Sequence, residues 1–596
     1  MADRHRPGAG GFSYLPLDRE LIVVARAQTR LRADPSGVRS EAGADLRALD
    51  AFLADERLTL EPLFGAGRTP PLGLFHRVRG TDRRQEEIAA RLTALPGVEA
   101  AYVKPSAMPA RAPGGPVEPP SDPIDLTQRQ GFLDPAPAGV DARWAWTLPG
   151  GTGEGVRVVD VGAAWRLGHE NLGHQLAGIV AGTPVADLAW RNHGTNAIGV
   201  VCGDRGGPGT TGLAPGAHVG AASFHGIGTA AAIHQAAARL SPGDVVLVGL
   251  HRPGPRFGYR DRDDQRGCVP LEWWPDDFAA IRHATANGVL VVAAAGNGAE
   301  CLDDVLYRER PDGFPAWWDN PFDARGPSSG AVVVGAGAPP PGTHGRDHGP
   351  DRSRLAFSCF GTRVDAQGWG HEVTTTGGHW DGPGDLRGGP DEDAWYTDAF
   401  RGTSAAAAVV GGALASVQGV LGAAGLPPLT PRRARELLRT TGSPQRDAPG
   451  RPAAQRIGDR PDLRAALARL LPGPVGSGVA ERLRDELMPY PPGSGPRLRL
   501  YVAGAWRGLE RPGPDVRHAV HAAFAGGRAG ASASGTRATG SSASSSTTPP
   551  TAGDPAGPGL RPAGSRGRRA RRPRDRRRSR RRGRCSGTRC PARSPR

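Results

Sequence analysis

Hydrophobic and polar positions change period twice along the 596-residue sequence, and the changes divide it into regions. Between residues 20 and 105, Leu21 to Ala25 is a continuous apolar run of strand length. Ala44 to Arg57 repeats apolar residues at helical spacing (Leu46, Leu49, Phe52, Leu53), and Gln85 to Leu95 does the same. Leu58 to Phe64, Leu72 to Val78 and Val98 to Val103 read as strands. The resulting β-α-β-β-α-β order is the split βαβ pattern of a small α+β domain. Residues 106–128 are Pro-rich and aperiodic and read as a linker.

From 129 to 470 short apolar runs alternate with helical segments. Val156 to Val159 is a buried-type strand that ends at Asp160. Ala217 to Phe224, Val245 to Leu250, Val289 to Ala294 and Ala331 to Gly335 are further strands, with helices at Thr229 to Leu240 and Trp274 to Asn287. This alternation predicts an α/β fold, a mostly parallel sheet with helices on both faces and sites at the carboxyl ends of its strands. A helix at Ala480 to Met488 and a strand at Leu498 to Ala505 suggest a small appendage over 471–525. Residues 1–19 are a tail. From 526 to 596 Gly, Ser, Pro and Arg dominate, a composition too polar to order itself.

Charge changes the picture little once it is located. The formal net charge is +16, and the stretch 561–596 alone holds 17 Arg against one acid, Asp575. The rest of the chain is formally neutral, so it does not read as a nucleic-acid-binding fold. Lys104 is the single lysine. Six cysteines show no zinc spacing and are too sparse for a disulfide scaffold; one or two disulfides and free buried thiols both remain open. Residues 1–16 lack an apolar run long enough for a signal-peptide core, and no stretch is expected to reach the ~18 apolar residues of a membrane span. That makes the cytoplasm the default compartment and secretion the alternative if the start is misassigned.

The densest chemistry lies around Arg401-Gly402-Thr403-Ser404, where a tight turn leads into a long run of small apolar residues. A serine in a helix's first turn stands among free backbone N–H groups that favour developing negative charge. Alone, it reads as the N-cap of a buried helix. Asp160 alone is a turn residue, His193 a helix-start histidine, and Asn297 between Gly296 and Gly298 a left-handed turn residue. Together, each at a strand end or helix start and in the order Asp, His, Asn, Ser, they supply an orienting carboxylate, a base, an oxyanion donor and a nucleophile.

These blocks resemble those of the subtilisin-like serine proteases, the subtilases. His193-Gly194-Thr195, Ala295-Gly296-Asn297 and Gly402-Thr403-Ser404 carry the likeness over roughly 130–470, with Gly212 to Ala217 and the helix at Thr430 to Thr441. The resemblance implies a subtilisin-like fold and hydrolysis of peptide bonds in protein or peptide substrates. It implies Ser404 as nucleophile, His193 as base and acid, Asp160 as orienter, and Asn297 with the Ser404 N–H as the oxyanion hole. It also makes residues 20–105, ending Leu95-Pro96-Gly97-Val98-Glu99, resemble an inhibitory propeptide, with cleavage between about 104 and 130. The alternative is a catalytically silent subtilase-like binding domain.

Some positions depart from the family's pattern. Ala408 stands where a proline is usual, Asn196 where a second histidine is frequent, and Val248-Gly249-Leu250-His251 where many members pair with substrate backbone through Ser-x-Gly. No cofactor is required and no metal site is assigned; Asp303-Asp304 is the one candidate pair for a structural calcium ion. Gly326 to Gly330 fits a nucleophile elbow but precedes a strand, and His169 to His174 is one residue too long for a zinc H-E-x-x-H helix.

Overall fold

In the computed structural model, residues 19–471 are described except 66–67, 81–83, 111–124, 174–175 and 207–208, together with backbone strands at 497–502, 505–509 and 531–534. The helix expected at Ala480 to Met488 and the arginine-rich stretch lie outside the described residues. Strand Ala531–Ser534 pairs with Arg497–Val502, so regular structure reaches beyond residue 526, where composition predicts none.

The N-terminal region forms a four-stranded antiparallel sheet in the order Thr59–Pro62, Phe75–Arg79, Glu20–Ala25, Val98–Lys104. Helices Arg47–Asp55 and Gln85–Thr93 cover one of its faces, and a hairpin of Leu31–Asp34 with Gly37–Ser40 is added. Alternation along the central strand divides its side chains. Leu21 and Val23 pack into the domain's own core with Leu49 and Leu92. Ile22 and Val24, with Phe75, Ala100 and Tyr102, join the core of the larger domain beside Ala230, Ile233 and Trp273. This is why the strand is apolar at every position: both faces are covered.

The larger domain is built on seven parallel strands in the order Ala366–Trp369, Val332–Gly337, Leu290–Ala294, Val245–Val248, Arg157–Gly162, His218–Ser223, Leu176–Ala181. The two edge strands, Ala366–Trp369 and Leu176–Ala181, are not among the runs read from hydrophobicity. Asp160 does not end its strand, which continues to Gly162; the carboxylate projects from inside the sheet, paired in register with Ala221 and Leu247. His193 is likewise not at a helix start but in the second turn of Leu188–Cys202, capped by Asp187.

Helix Thr403–Ala423 runs unbroken for 21 residues, and everything from Thr403 to Leu421 is buried. By length and composition it is apolar enough to cross a membrane, contrary to the sequence expectation, but 94% of its most apolar window is enclosed by this domain. Its alanines, glycines and valines let the neighbouring strands approach closely, which makes it a core helix. Ala408 is fully buried within it and keeps an N–H that proline would lack. Among the described residues, Cys202, Cys268, Cys301 and Cys359 are not joined in disulfides.

Candidate active site

Ser404 is the second residue of its helix and is 1% exposed. A β-carbon placed on Gly249 would lie 3.2 Å from both Ser404 Cβ and His193 Cε1, and 3.8 Å from His193 Nε2. Serine and histidine therefore flank one point, where a β-carbon would sit tightly against both. His193 is held between aromatic edges, Trp190 at 6.4 Å and Phe400 at 5.8 Å between ring centroids.

Asp160 is buried, and Trp165 Nε1 donates to its Oδ2 at 2.8 Å. The Trp165 ring closes on the histidine helix at Gly194, where a β-carbon would come within 2.6 Å of Nε1 and 2.2 Å of Ala164 O. One tryptophan thus touches both the aspartate and the turn that follows His193. Burial pushes the Asp160 carboxyl up to about 7, and the Trp165 hydrogen bond opposes the rise.

The Asn297 amide is held at both ends. Its Oδ1 accepts from Thr403 N–H at 3.0 Å and Thr403 Oγ1 at 2.9 Å, while its Nδ2 donates to Gln265 Oε1 at 3.0 Å. Its own N–H donates to His251 Nδ1 at 3.1 Å. That bond makes His251 Nδ1 an acceptor, and burial, followed by the nearby His193, pulls the His251 imidazole down to about 3.

A segment of the chain itself lies across these groups. Met108–Pro109 forms a strand antiparallel to Leu250–Pro253, with Leu250 opposite Pro109 and His251 opposite Met108. Ala110 N–H donates to Gly249 O at 3.0 Å. Ala110 O accepts from Ser404 N–H at 3.1 Å and from Ser404 Oγ at 3.0 Å. The stretch read as an unstructured linker therefore begins as an extended peptide with one carbonyl against the serine. Backbone pairing here needs no particular side chain, so Gly249, Leu250 and His251 pair with this segment although the sequence lacks Ser-x-Gly.

Gln265, His251, Trp165 and Thr403 are site residues that sequence reasoning did not assign. Thr403, next to Ser404, was the most accessible of them. The others come from loops and strands with no motif of their own. Of the acids considered for calcium, Asp303 accepts from Thr362 N–H and Oγ1, and Asp304 caps Leu306 and pairs with Arg256. Another cluster brings one ligand atom each from His348, His371 and Glu372 within 4.8 Å. Its imidazoles are stacked 4.1 Å apart at 13°, so their in-plane lone pairs run side by side and do not converge on an ion. The Glu372 oxygens already meet His344, His348 and Arg346.

The model of the subtilase family, peptidase S8, matches residues 180–458, a span that holds His193, Asn297 and Ser404 and begins after Asp160. Curated protein sequences gave no match. Similar solved structures include proteases from Pseudoalteromonas arctica PAMC 21717, at 20% identity over 59% of this chain and 99% of that one, with a TM-score of 0.40. Fervidolysin from Fervidobacterium pennivorans, a keratinolytic enzyme related to subtilisin, is 16% identical over 86% of this chain and 69% of its own, with a TM-score of 0.44. The patellamide maturation protease PatA is 19% identical over 53% and 97%, with a TM-score of 0.37. Residues 180–458 thus match the subtilase family, a family of serine peptidases.

Proposed function

We propose that the protein is a serine endopeptidase acting through Asp160, His193 and Ser404, and that its N-terminal domain is an intramolecular inhibitor cut at the Ala110–Arg111 bond. The observation that carries this reading is the Ala110 carbonyl. Its oxygen receives the Ser404 N–H as an oxyanion would, with Ser404 Oγ 3.0 Å away, and the Ala110 N–H is paired with Gly249 O; the hydroxyl, which donates to this oxygen at rest, turns its proton to His193 for the reaction.

In this mechanism Ser404 Oγ bonds to the Ala110 carbonyl carbon as His193 takes the hydroxyl proton. Asp160 holds the imidazole and stabilises its charged form. The oxygen of the tetrahedral intermediate is held by Ser404 N–H, with the second N–H of the Asn297 amide as the other donor; losing such a donor costs about 10²–10³ in rate. His193 then gives the proton to the Arg111 nitrogen as the C–N bond breaks. Water releases the acyl-enzyme by the reverse sequence, leaving the Ala110 carboxylate.

N-terminal sequencing of the purified chain tests this reading together with a fluorophosphonate label. The expected result is a new terminus at Arg111 and labelling lost in Ser404→Ala. An intact, unlabelled wild type would overturn it in favour of a silent binding domain.

A further inference from the structure

Gln265 lies in the loop between strands Leu250–Pro253 and Cys268–Pro270. Residues 260–264 and 266 are exposed, whereas Gln265 is 6% exposed with φ at 55°, in the left-handed region. Its N–H donates to Arg262 O at 2.9 Å and its carbonyl accepts from Cys268 N–H at 3.2 Å, so the backbone on both sides is pinned. The turn drives one polar side chain inward from a solvated loop.

That side chain continues a chain of amides whose polarity is fixed from both ends. Thr403 N–H can only donate, so Asn297 presents Oδ1 to it and Nδ2 to the other side. Pro109 O can only accept, so Gln265 presents Nε2 to it, at 3.1 Å, and Oε1 to Asn297. The sequence Thr403 N–H, Asn297 amide, Gln265 amide, Pro109 carbonyl runs in one direction without a conflict. An amide nitrogen has two N–H bonds, so the one given to Gln265 fixes the direction of the other.

Resting on the peptidase reading, we propose that Gln265 is a positioning residue that binds the substrate carbonyl one residue before the acylated one and thereby aims the Asn297 amide at the oxyanion. It follows that the favoured substrates extend on the N-terminal side of the cut bond. A lone amino acid derivative offers no carbonyl to Gln265.

The test uses the full chain after processing, a fluorogenic peptide Ser-Ala-Met-Pro-Ala-aminocoumarin, and the same peptide with the proline carbonyl replaced by a thiocarbonyl, a weaker acceptor. Gln265→Glu keeps the acceptor for Asn297 and loses the donor, so KM rises roughly tenfold with kcat within about threefold. Gln265→Ala loses both, and kcat also falls about tenfold, less than deletion of an oxyanion donor costs. The thiocarbonyl penalty seen in wild type should vanish in both variants, as coupled partners require. Equal thiocarbonyl penalties in all three proteins, or none in wild type, overturn the proposal; the wild-type measurement decides even if a variant fails to fold. A wild type inactive on both peptides defeats the underlying peptidase reading, and this inference with it.

Discussion

The N-terminal domain packs against the larger domain over a broad apolar face, and two of its polar contacts, six residues apart, are built on opposite principles. At Lys104 the contact is made by side chains. The ammonium is fully buried, 2.5 Å from Asp276, 3.2 Å from Asp277 and 3.3 Å from Thr229 Oγ1. Tyr102 also donates to Asp276, and Arg252 binds Glu20 and the Pro105 carbonyl. Burial alone would lower the lysine's pKa, but Asp276, Asp277 and Glu20 outweigh it and hold it above the ordinary value. Glu20 is held low against its own burial by Lys104 and Arg252. At Ala110 every hydrogen bond uses main-chain atoms of the N-terminal segment. The first contact therefore depends on side chains particular to this domain, while the second uses only atoms that every peptide carries. Under the proposed reading, an inhibitor of a peptidase needs both: identity to stay bound, and anonymity to be replaced by substrate.

The comparison can be broken most sharply at the serine. Ser404→Ala should leave the 110–111 bond intact, lowering self-cleavage on the order of 10⁶-fold as followed by gel and mass spectrometry. Next comes the ionic contact. Lys104→Met leaves Asp276 buried without its cation and Asp277 with only the more distant Arg252, a loss of about 3–5 kcal/mol in comparable sites. The processed N-terminal fragment should then bind roughly 100-fold or more weakly by titration of peptidase activity.

Asp160 adds a pH dependence. Activity needs the carboxylate, so it should fall as pH drops through about 7. Trp165→Phe removes the hydrogen bond that opposes the rise, shifting this acid limb upward by roughly half to one pH unit in kcat/KM profiles. The stability sign is opposite. A carboxyl whose folded pKa is raised contributes stability that is complete below its unfolded value and lost as pH rises through about 7. Asp160→Asn should therefore be inactive yet melt several degrees above wild type at pH 8. The smallest effect belongs to the backbone contact: Pro109→Ala keeps the carbonyl and should slow processing only about two- to fivefold through added chain entropy.

The parts of this design that the sequence discloses are those with a period or a local motif. Ser404 is legible because the helix behind it must be small and apolar to sit in the sheet's core, and His193 and Asn297 because glycines beside them mark close approaches. Asp160 is legible as a residue but misplaced by two positions, since apolar content does not say where pairing stops. Strand Leu176–Ala181 has the exposed positions of an edge and so lacks a continuous apolar signal. Met108–Pro109 becomes a strand only because Leu250–Pro253 offers it hydrogen bonds. Gln265 is hidden for a related reason: its neighbours are polar and exposed, and only the left-handed turn directs it inward.

Lys104 carries one more consequence. It is the sole side-chain amine in the 596-residue sequence, and it is sealed where the two domains meet. An acylating reagent therefore has one lysine to find, and can find it only while the domains are apart. The rate of that single modification is a clock for opening, provided by the protein without any added label.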